Sequence, residues 1–181
     1  LEILSNPSAA PVTAGVKLSS TLGYADLVGY CYFGCWWVGS VPSLVTTSNG
    51  GTALDLSGST PDRWAVFDDA GQTDIFESGA PGGTFPASAF VFDGPGAGQR
   101  IAAATYTSQQ NGGLLSYQWD SVTVPAGGKV ILMHFVLLQS STAAATASVQ
   151  RLVQLPPEAI SGIAADEAPL VANFSVPADL S

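Results

Sequence analysis

The sequence predicts a mainly β protein: a two-sheet antiparallel β-sandwich of about eight strands, with a short helical appendage at the C-terminal end. Short extended runs are separated by clusters of Gly, Pro, Asn and Ser, and helical periodicity is absent until about residue 140. The 181 residues suffice for one domain with a sizeable core. We therefore expect a single domain (1–181), with the β-sandwich at 1–139 and the helical appendage and a last extended segment at 140–181.

The predicted strands follow one another at short intervals. Val12 to Leu18 alternates between apolar and polar residues, as a half-buried strand does. The other runs with extended character are Leu1–Leu4, Ser43–Thr47, Arg63–Phe67, Ala87–Phe92, Ile101–Thr107 and Leu114–Val124. After a tight turn at Pro125–Gly128, the run Lys129–Gln139 is nearly all apolar, which predicts one long strand buried on both faces.

The character of the chain changes at Ser140-Ser141-Thr142, whose side chains are good N-caps for an alanine-rich helix. Apolar residues then recur at helical spacing and predict a helix that lies on the sandwich; they are Ala145, Val149, Leu152 and Val153. Pro157 starts a short helical turn, and a second short helix is expected from about Asp166 to Ala172. Asn173–Val176 is predicted to be extended.

Charge excludes two classes of partner. The chain has 5 Lys and Arg against 14 Asp and Glu, so its net charge of −9 repels nucleic acid and anionic bilayers. The longest apolar run, Val130–Leu138, is interrupted by His134 and has about half the length that spans a membrane, so no membrane insertion is expected. Only 10% of residues are charged, against about 25% in ordinary domains. This favours an extracellular module, or a subunit covered by copies of itself.

The most concentrated segment, Gly29–Trp37, holds both cysteines and five aromatic residues of the chain. We predict an aromatic insertion at about 25–42, with Cys31 and Cys35 joined in a disulfide, as in proteins of oxidising compartments. Two free buried thiols are the alternative. The candidate binding residues are Tyr30, Tyr32, Phe33, Trp36 and Trp37.

Three uses of this aromatic insertion remain open. Trp and Tyr are common anchors in protein interfaces, so the insertion could bind a protein partner or copies of the chain itself. The same flat rings could stack on the sugars of a glycan. The insertion could also fold back over one end of the sandwich and cover core. Low charge and a mean hydropathy of +0.30 favour protein contact.

Catalytic motifs are not evident, and the chain is not expected to be an enzyme. Its one histidine, His134, lies in an apolar run and is predicted to be a hydrogen-bonded core residue, and no Gly-x-Ser-x-Gly motif occurs. The one carboxylate cluster offers oxygens to calcium from Asp68, Asp69 and Asp74. An Asp-capped solvated turn is the alternative reading of that cluster. No other cofactor is predicted.

Several segments carry a family resemblance. Asp62–Asp69, Val91–Gly96 and Val122–Gly128, followed by an apolar run, resemble a β-sandwich module of large bacterial secreted and cell-surface proteins. The tail is similar too, with Leu155–Glu158 and Asn173-Phe174. The resemblance implies an extracellular, non-catalytic building block with a structural or adhesive role. A carbohydrate-binding module or an accessory domain of a secreted hydrolase is the alternative function. The aromatic insertion departs from the family pattern.

Overall fold

A computed structural model describes residues 1–23, 25–27, 37–39, 42–57, 60–69, 86–109 and 112–177 of the 181-residue chain, with the backbone alone for 25–27 and 37–39. Within these ranges the fold is mainly β, with antiparallel sheets and one α-helix, as predicted. None of the helices in this part of the chain has the length and apolar character needed to cross a bilayer.

The described ranges contain eleven strands: β1 (Glu2–Ser5), β2 (Val12–Leu22), β3 (Ala25–Leu27), β4 (Trp37–Gly39), β5 (Ser43–Thr47), β6 (Trp64–Asp68), β7 (Ala87–Val91), β8 (Ala103–Gln109), β9 (Gly112–Val124), β10 (Lys129–Leu132) and β11 (Phe135–Gln139). One four-stranded sheet has the order β11-β7-β6-β5, and one three-stranded sheet has the order β2-β9-β8. The remaining strands form two pairs, β1 with β10 and β3 with β4. The prediction of eight strands in two sheets is not confirmed.

Strand β6 shows how the core is divided. Its first four residues, Trp64 to Phe67, are all buried. Because successive side chains of a strand point to opposite faces, the strand contributes to two clusters. Trp64 and Val66 pack in one cluster with helix α1 (Thr142–Leu152), and Ala65 and Phe67 pack in a second one with residues of β9. The four-stranded sheet is therefore covered on both faces at β6.

Aromatic rings join the four-stranded sheet to the three-stranded sheet. The ring centroids of Phe67 and Tyr106 are 4.8 Å apart, and those of Phe92 and Tyr117 are 4.9 Å apart. Trp119, in the same cluster, is fully buried. Such tilted ring pairs add roughly 0.5–1.5 kcal/mol each beyond the burial of apolar area. The cluster between these two sheets therefore contains most of the buried aromatic rings of the described core.

Helix α1 begins where the sequence predicts it. Ser141 is the N-cap, and its Oγ accepts a hydrogen bond of 3.2 Å from the backbone N–H of Ala144. Ala145 and Val149 have no exposed surface, and Val153 is buried just after the last turn. The helix packs on the four-stranded sheet through this face. Beyond it, the chain forms two 3₁₀ helices, Pro157–Ala159 and Ala168–Leu170, the second shorter than predicted.

Two predictions near the C-terminal end are wrong. The run Lys129–Gln139 is two strands, β10 and β11, that pair in different places, and they are separated by Met133 and His134. It is also not buried on both faces, because Val136 and Leu138 on one face of β11 are exposed. Asn173–Val176 forms no strand. The chain bends at Asn173, whose side chain binds backbone groups in the core instead.

One buried carboxylate follows β7. Asp93 is 2% exposed; its Oδ2 accepts the backbone N–H of Ile101 at 3.2 Å, and its Oδ1 lies 3.4 Å from the Nη1 of Arg63. Burial raises the pKa of Asp93 to about 6, against the opposing effects of the Ile101 hydrogen bond and the Arg63 charge. The folded state therefore holds this proton more tightly than the unfolded state, for which the pKa is 3.8.

This raised pKa predicts a pH-dependent difference between the wild type and Asp93→Asn. A group whose folded pKa is raised stabilises the fold at low pH, and that contribution is lost as pH rises from about 4 to about 6. Asparagine cannot titrate, so the free energy of unfolding of Asp93→Asn, relative to wild type, should increase over this window by at most about 3 kcal/mol. Urea unfolding of both proteins at pH 4, 5, 6 and 7 measures it. A difference that stays constant with pH would contradict the raised pKa.

Candidate protein-contact site

A cleft of about 250 Å³ lies where the end of β2 meets the face of the four-stranded sheet, beside its edge strand β11. Phe67 and Phe90 from the sheet, Leu22 from β2 and Val136 and Leu138 from β11 supply its apolar lining. Phe67, Phe90 and Leu22 are core residues. The cleft is therefore a place where the aromatic core of the protein reaches the surface.

Strand β11 forms an exposed apolar rim for this cleft. Phe135 and Leu137 pack on the helix-side cluster, so the alternating residues Val136 and Leu138 face the other way. Val136 is 55% exposed and Leu138 is 66% exposed. In the register of β11 with β7, Val136 pairs with Phe90, which shows that the rim continues the sheet face that the three-stranded sheet covers elsewhere. Over β11, the described residues leave this face exposed at Val136 and Leu138.

The charge at the cleft is of one sign. Asp68 and Asp69, at the end of β6, line it. All five Lys and Arg residues of the chain lie in described ranges, and none of them lines the cleft; they are Lys17, Arg63, Arg100, Lys129 and Arg151. The cleft therefore has mainly apolar walls, and the carboxylate of Asp68 binds the hydroxyl of Thr142 in helix α1.

The base of the predicted aromatic insertion borders the same cleft. Gly23, just before the insertion, and Pro42, at its end, both line the cleft. The hydroxyl of Tyr106, whose ring packs on Phe67, donates a hydrogen bond to the Pro42 carbonyl and fastens this base to the core. The structure thus brings the start of the aromatic insertion and the start of the acidic cluster to one end of the molecule.

The aromatic insertion contains a short β-ribbon that the sequence analysis did not predict. Strands β3 and β4 pair antiparallel, with Leu27 opposite Trp37. The predicted binding residues Tyr30, Tyr32, Phe33 and Trp36 and the cysteines Cys31 and Cys35 lie outside the described residues, and Trp37 is described by its backbone alone. Their contact role and the disulfide stay predictions.

The predicted calcium ligands have a partial description. Asp74 lies outside the described residues. Both oxygens of Asp68 accept hydrogen bonds, Oδ1 from the backbone N–H of Asp69 at 2.9 Å and Oδ2 from the hydroxyl of Thr142. No group of three or more potential ligands that could hold a metal ion occurs in the described ranges. The calcium site stays a prediction. Asp68 itself fastens the first turn of α1, where the helix dipole favours an anion.

His134 has a hydrogen-bond partner on each ring nitrogen, as expected for a partnered core residue. Its Nδ1 lies 2.9 Å from the Tyr117 hydroxyl, and its Nε2 lies 3.4 Å from Oε1 of Glu2. A carboxylate only accepts hydrogen bonds, so we assign the proton to Nε2, and Nδ1 then accepts from Tyr117. Burial lowers the pKa of His134 and raises that of Tyr117. The two groups are neutral near pH 7 and join β1 to β9.

The exposed rim of Val136 and Leu138 is the feature that sequence reasoning missed. The apolar run Val130–Leu138 carries no pattern that separates its buried residues from its exposed ones. The only signal is His134, which interrupts the run where β10 has ended and β11 begins. No family model, curated protein or solved structure compared with this chain matches it, so the cleft and its rim are interpreted from their own chemistry.

Proposed function

We propose that this protein is a non-catalytic structural or adhesive module that acts outside the bacterial cell or on its surface, by contact with another protein or with copies of itself. The cleft is the contact region, and the aromatic insertion beside it is the anchor. The observation that carries the proposal is the exposed Val136 and Leu138 rim at the end of the molecule where the insertion begins. Exposed apolar surface beside a core opening is typical of interaction sites.

The architecture suits such a module. In this proposal the four-stranded and three-stranded sheets are the two layers of a β-sandwich, and the aromatic contacts of Phe67 with Tyr106 and of Phe92 with Tyr117 support that arrangement. The sandwich provides a rigid frame for the aromatic insertion. An extracellular location is supported by the low charge and by the two closely spaced cysteines.

Three assays test the proposal: one for self-association, one for peptide binding and one for polysaccharide binding. We expect the wild type to self-associate in sedimentation velocity or to select sequences from a phage-displayed random peptide library. Trp36→Ala and Trp37→Ala should each weaken that interaction about tenfold or more, because aromatic anchors dominate interface energy. A polysaccharide array is the third assay. The control variant is Val12→Ala, which truncates an exposed apolar residue of β2.

The outcomes separate the functions. A protein that stays monomeric and selects no peptides contradicts the proposal. Retention on a polysaccharide that is lost in Trp36→Ala and Trp37→Ala, with no peptide selected, would support the carbohydrate-binding alternative instead. Labelling by a covalent probe for serine hydrolases would contradict the non-catalytic assignment.

A further inference from the structure

We propose that the loop of residues 94–100 is a pH-sensitive latch over the C-terminal segment 171–175, held closed more tightly in acid than at neutral pH, with Asp93 as the group that senses pH. This inference concerns a part of the molecule away from the cleft and does not depend on the proposed function. Three features carry it: the bonds by which Asp93 joins the ends of the loop, the contact of the loop with the C-terminal segment, and the burial of the Asp93 carboxylate.

The side chain of Asp93 joins the two ends of the loop. Asp93 directly precedes Gly94, and its Oδ2 accepts the backbone N–H of Ile101, just after the loop, at 3.2 Å. Its Oδ1 lies 3.4 Å from Nη1 of Arg63, and the same nitrogen donates a hydrogen bond to the Gly94 carbonyl. The residues between these ends are mostly exposed or half-buried. A surface loop held mainly at its ends can open without unfolding of the sheets.

The closed loop lies on the C-terminal segment. The backbone N–H groups of Gly94 and Gln99 donate to the carbonyls of Asn173 and Ala172, each at 2.9 Å. A side chain at position 94 has no room, because a Cβ atom there would lie 2.6 Å from the ring of Phe174. The Asn173 side chain itself binds backbone groups of the core. The segment is therefore anchored separately from the loop, and opening of the loop uncovers it.

Two positive charges act on the Asp93 carboxylate, those of Arg63 before β6 and of Arg100 within the loop. The neighbouring carboxylates of Asp62, next to Arg63, and of Asp120, whose backbone carbonyl binds the loop, have other hydrogen-bond partners. The C-terminal segment contributes only uncharged residues, Val-Ala-Asn-Phe-Ser. Burial outweighs both positive charges and raises the pKa of Asp93 to about 6.

Opening of the loop exposes this carboxylate to water, where its pKa returns to the ordinary value of 3.8. Below about pH 4 the closed and open forms both carry the proton, and the loop is held most tightly. Between about pH 4 and pH 6 opening releases the proton, so each pH unit favours the open form about tenfold. Above about pH 6 both forms are ionised and the effect levels off. The open population therefore increases by at most about 100-fold between pH 4 and pH 7.

Amide hydrogen exchange, followed by NMR from pH 4 to pH 7 and corrected for the intrinsic effect of pH on exchange, tests the latch. We expect the protection factors of Gly94, Gln99 and Ile101 to fall by up to about 100-fold over this range. The control amide is that of Gly128, which donates to the Pro125 carbonyl at 3.0 Å in the turn before β10. Its protection factor should change by less than about twofold, because local opening of that turn does not expose Asp93.

Two variants identify the group that senses pH. Asp93→Asn retains an oxygen that can accept the Ile101 N–H but does not titrate, so the protection factors of its loop amides should stay within about twofold from pH 4 to pH 7. Arg100→Gln removes a positive charge that favours the ionised carboxylate. In this variant the fall in protection should extend to higher pH than in the wild type.

Three results would overturn the inference. Protection of the loop amides could stay constant with pH in the wild type, or it could fall equally in Asp93→Asn. The loop amides could also be as strongly protected as those of the buried strand β6, which would show that the loop opens only when the whole molecule unfolds. The assays of self-association and peptide binding test the proposed function separately.

Discussion

Replacement of Asn173 by leucine should destabilise the protein by about 4 kcal/mol or more. The side chain has no exposed surface. Its Oδ1 accepts the backbone N–H of Met133 at 2.8 Å, and its Nδ2 donates to the carbonyls of Phe92, at 2.7 Å, and Met133. Leucine has a similar volume but cannot form these bonds, so three buried backbone groups lose their partner, at about 1–3 kcal/mol each.

Urea unfolding, followed by tryptophan fluorescence, measures this loss. Ser175→Ala is the matched control, because it removes one exposed hydrogen bond, to the carbonyl of Pro95, two positions along the same segment. It should change the free energy of unfolding by less than about 0.5 kcal/mol. A loss below about 1 kcal/mol for Asn173→Leu would show that the C-terminal segment does not hold the junction of β10 and β11 in place.

Truncation of Phe67 to alanine should destabilise the fold by about 3–5 kcal/mol. The side chain is fully buried beneath the cleft, with its ring 5.9 Å from that of Phe90 and 4.8 Å from that of Tyr106. Its removal leaves a cavity beside rings from both sheets, and the rigid sheets cannot close it. Phe67→Leu, which retains most of the volume, should lose about 1–2 kcal/mol.

The control for Phe67 comes from the rim of the same cleft. Leu138→Ala removes a residue that is 66% exposed, so its effect on the free energy of unfolding should stay within about 0.5 kcal/mol. Urea unfolding of the three variants and the wild type provides the comparison. Equal losses for Phe67→Ala and Leu138→Ala would show that the rim belongs to the core, which would remove the basis of the contact site.

Local patterns predicted several elements correctly. Ser141 caps α1, and the spacing of Ala145, Val149 and Val153 defined its buried face. The run around β6 was recognised because β-branched and aromatic residues stand between turn signals. In these segments the information lies within a few residues: a cap acts on the next turn, and an apolar repeat of helical spacing defines one face.

The candidate site was only partly predictable. Composition indicated the aromatic insertion and the acidic cluster as separate segments. Nothing in either segment indicates that Gly23 and Pro42, at the base of the insertion, line the same cleft as Asp68 and Asp69. Their position at one cleft depends on the strand order. Strand β6 lies inside the four-stranded sheet, and the end of β2 lies against the face of that sheet. Strand order is set by contacts between residues far apart in the chain.

The sequence by itself determined the strand-rich character, the capped helix, the acidic charge and the concentration of aromatic residues before Pro42. Only the tertiary structure decided which residues of the run Lys129–Gln139 are exposed. Val136 and Leu138 are as apolar as their buried neighbours, and their exposure follows from the three-stranded sheet, which covers the four-stranded sheet but leaves one face of β11 open. Burial depends on what another part of the chain covers, and local hydrophobicity cannot report that.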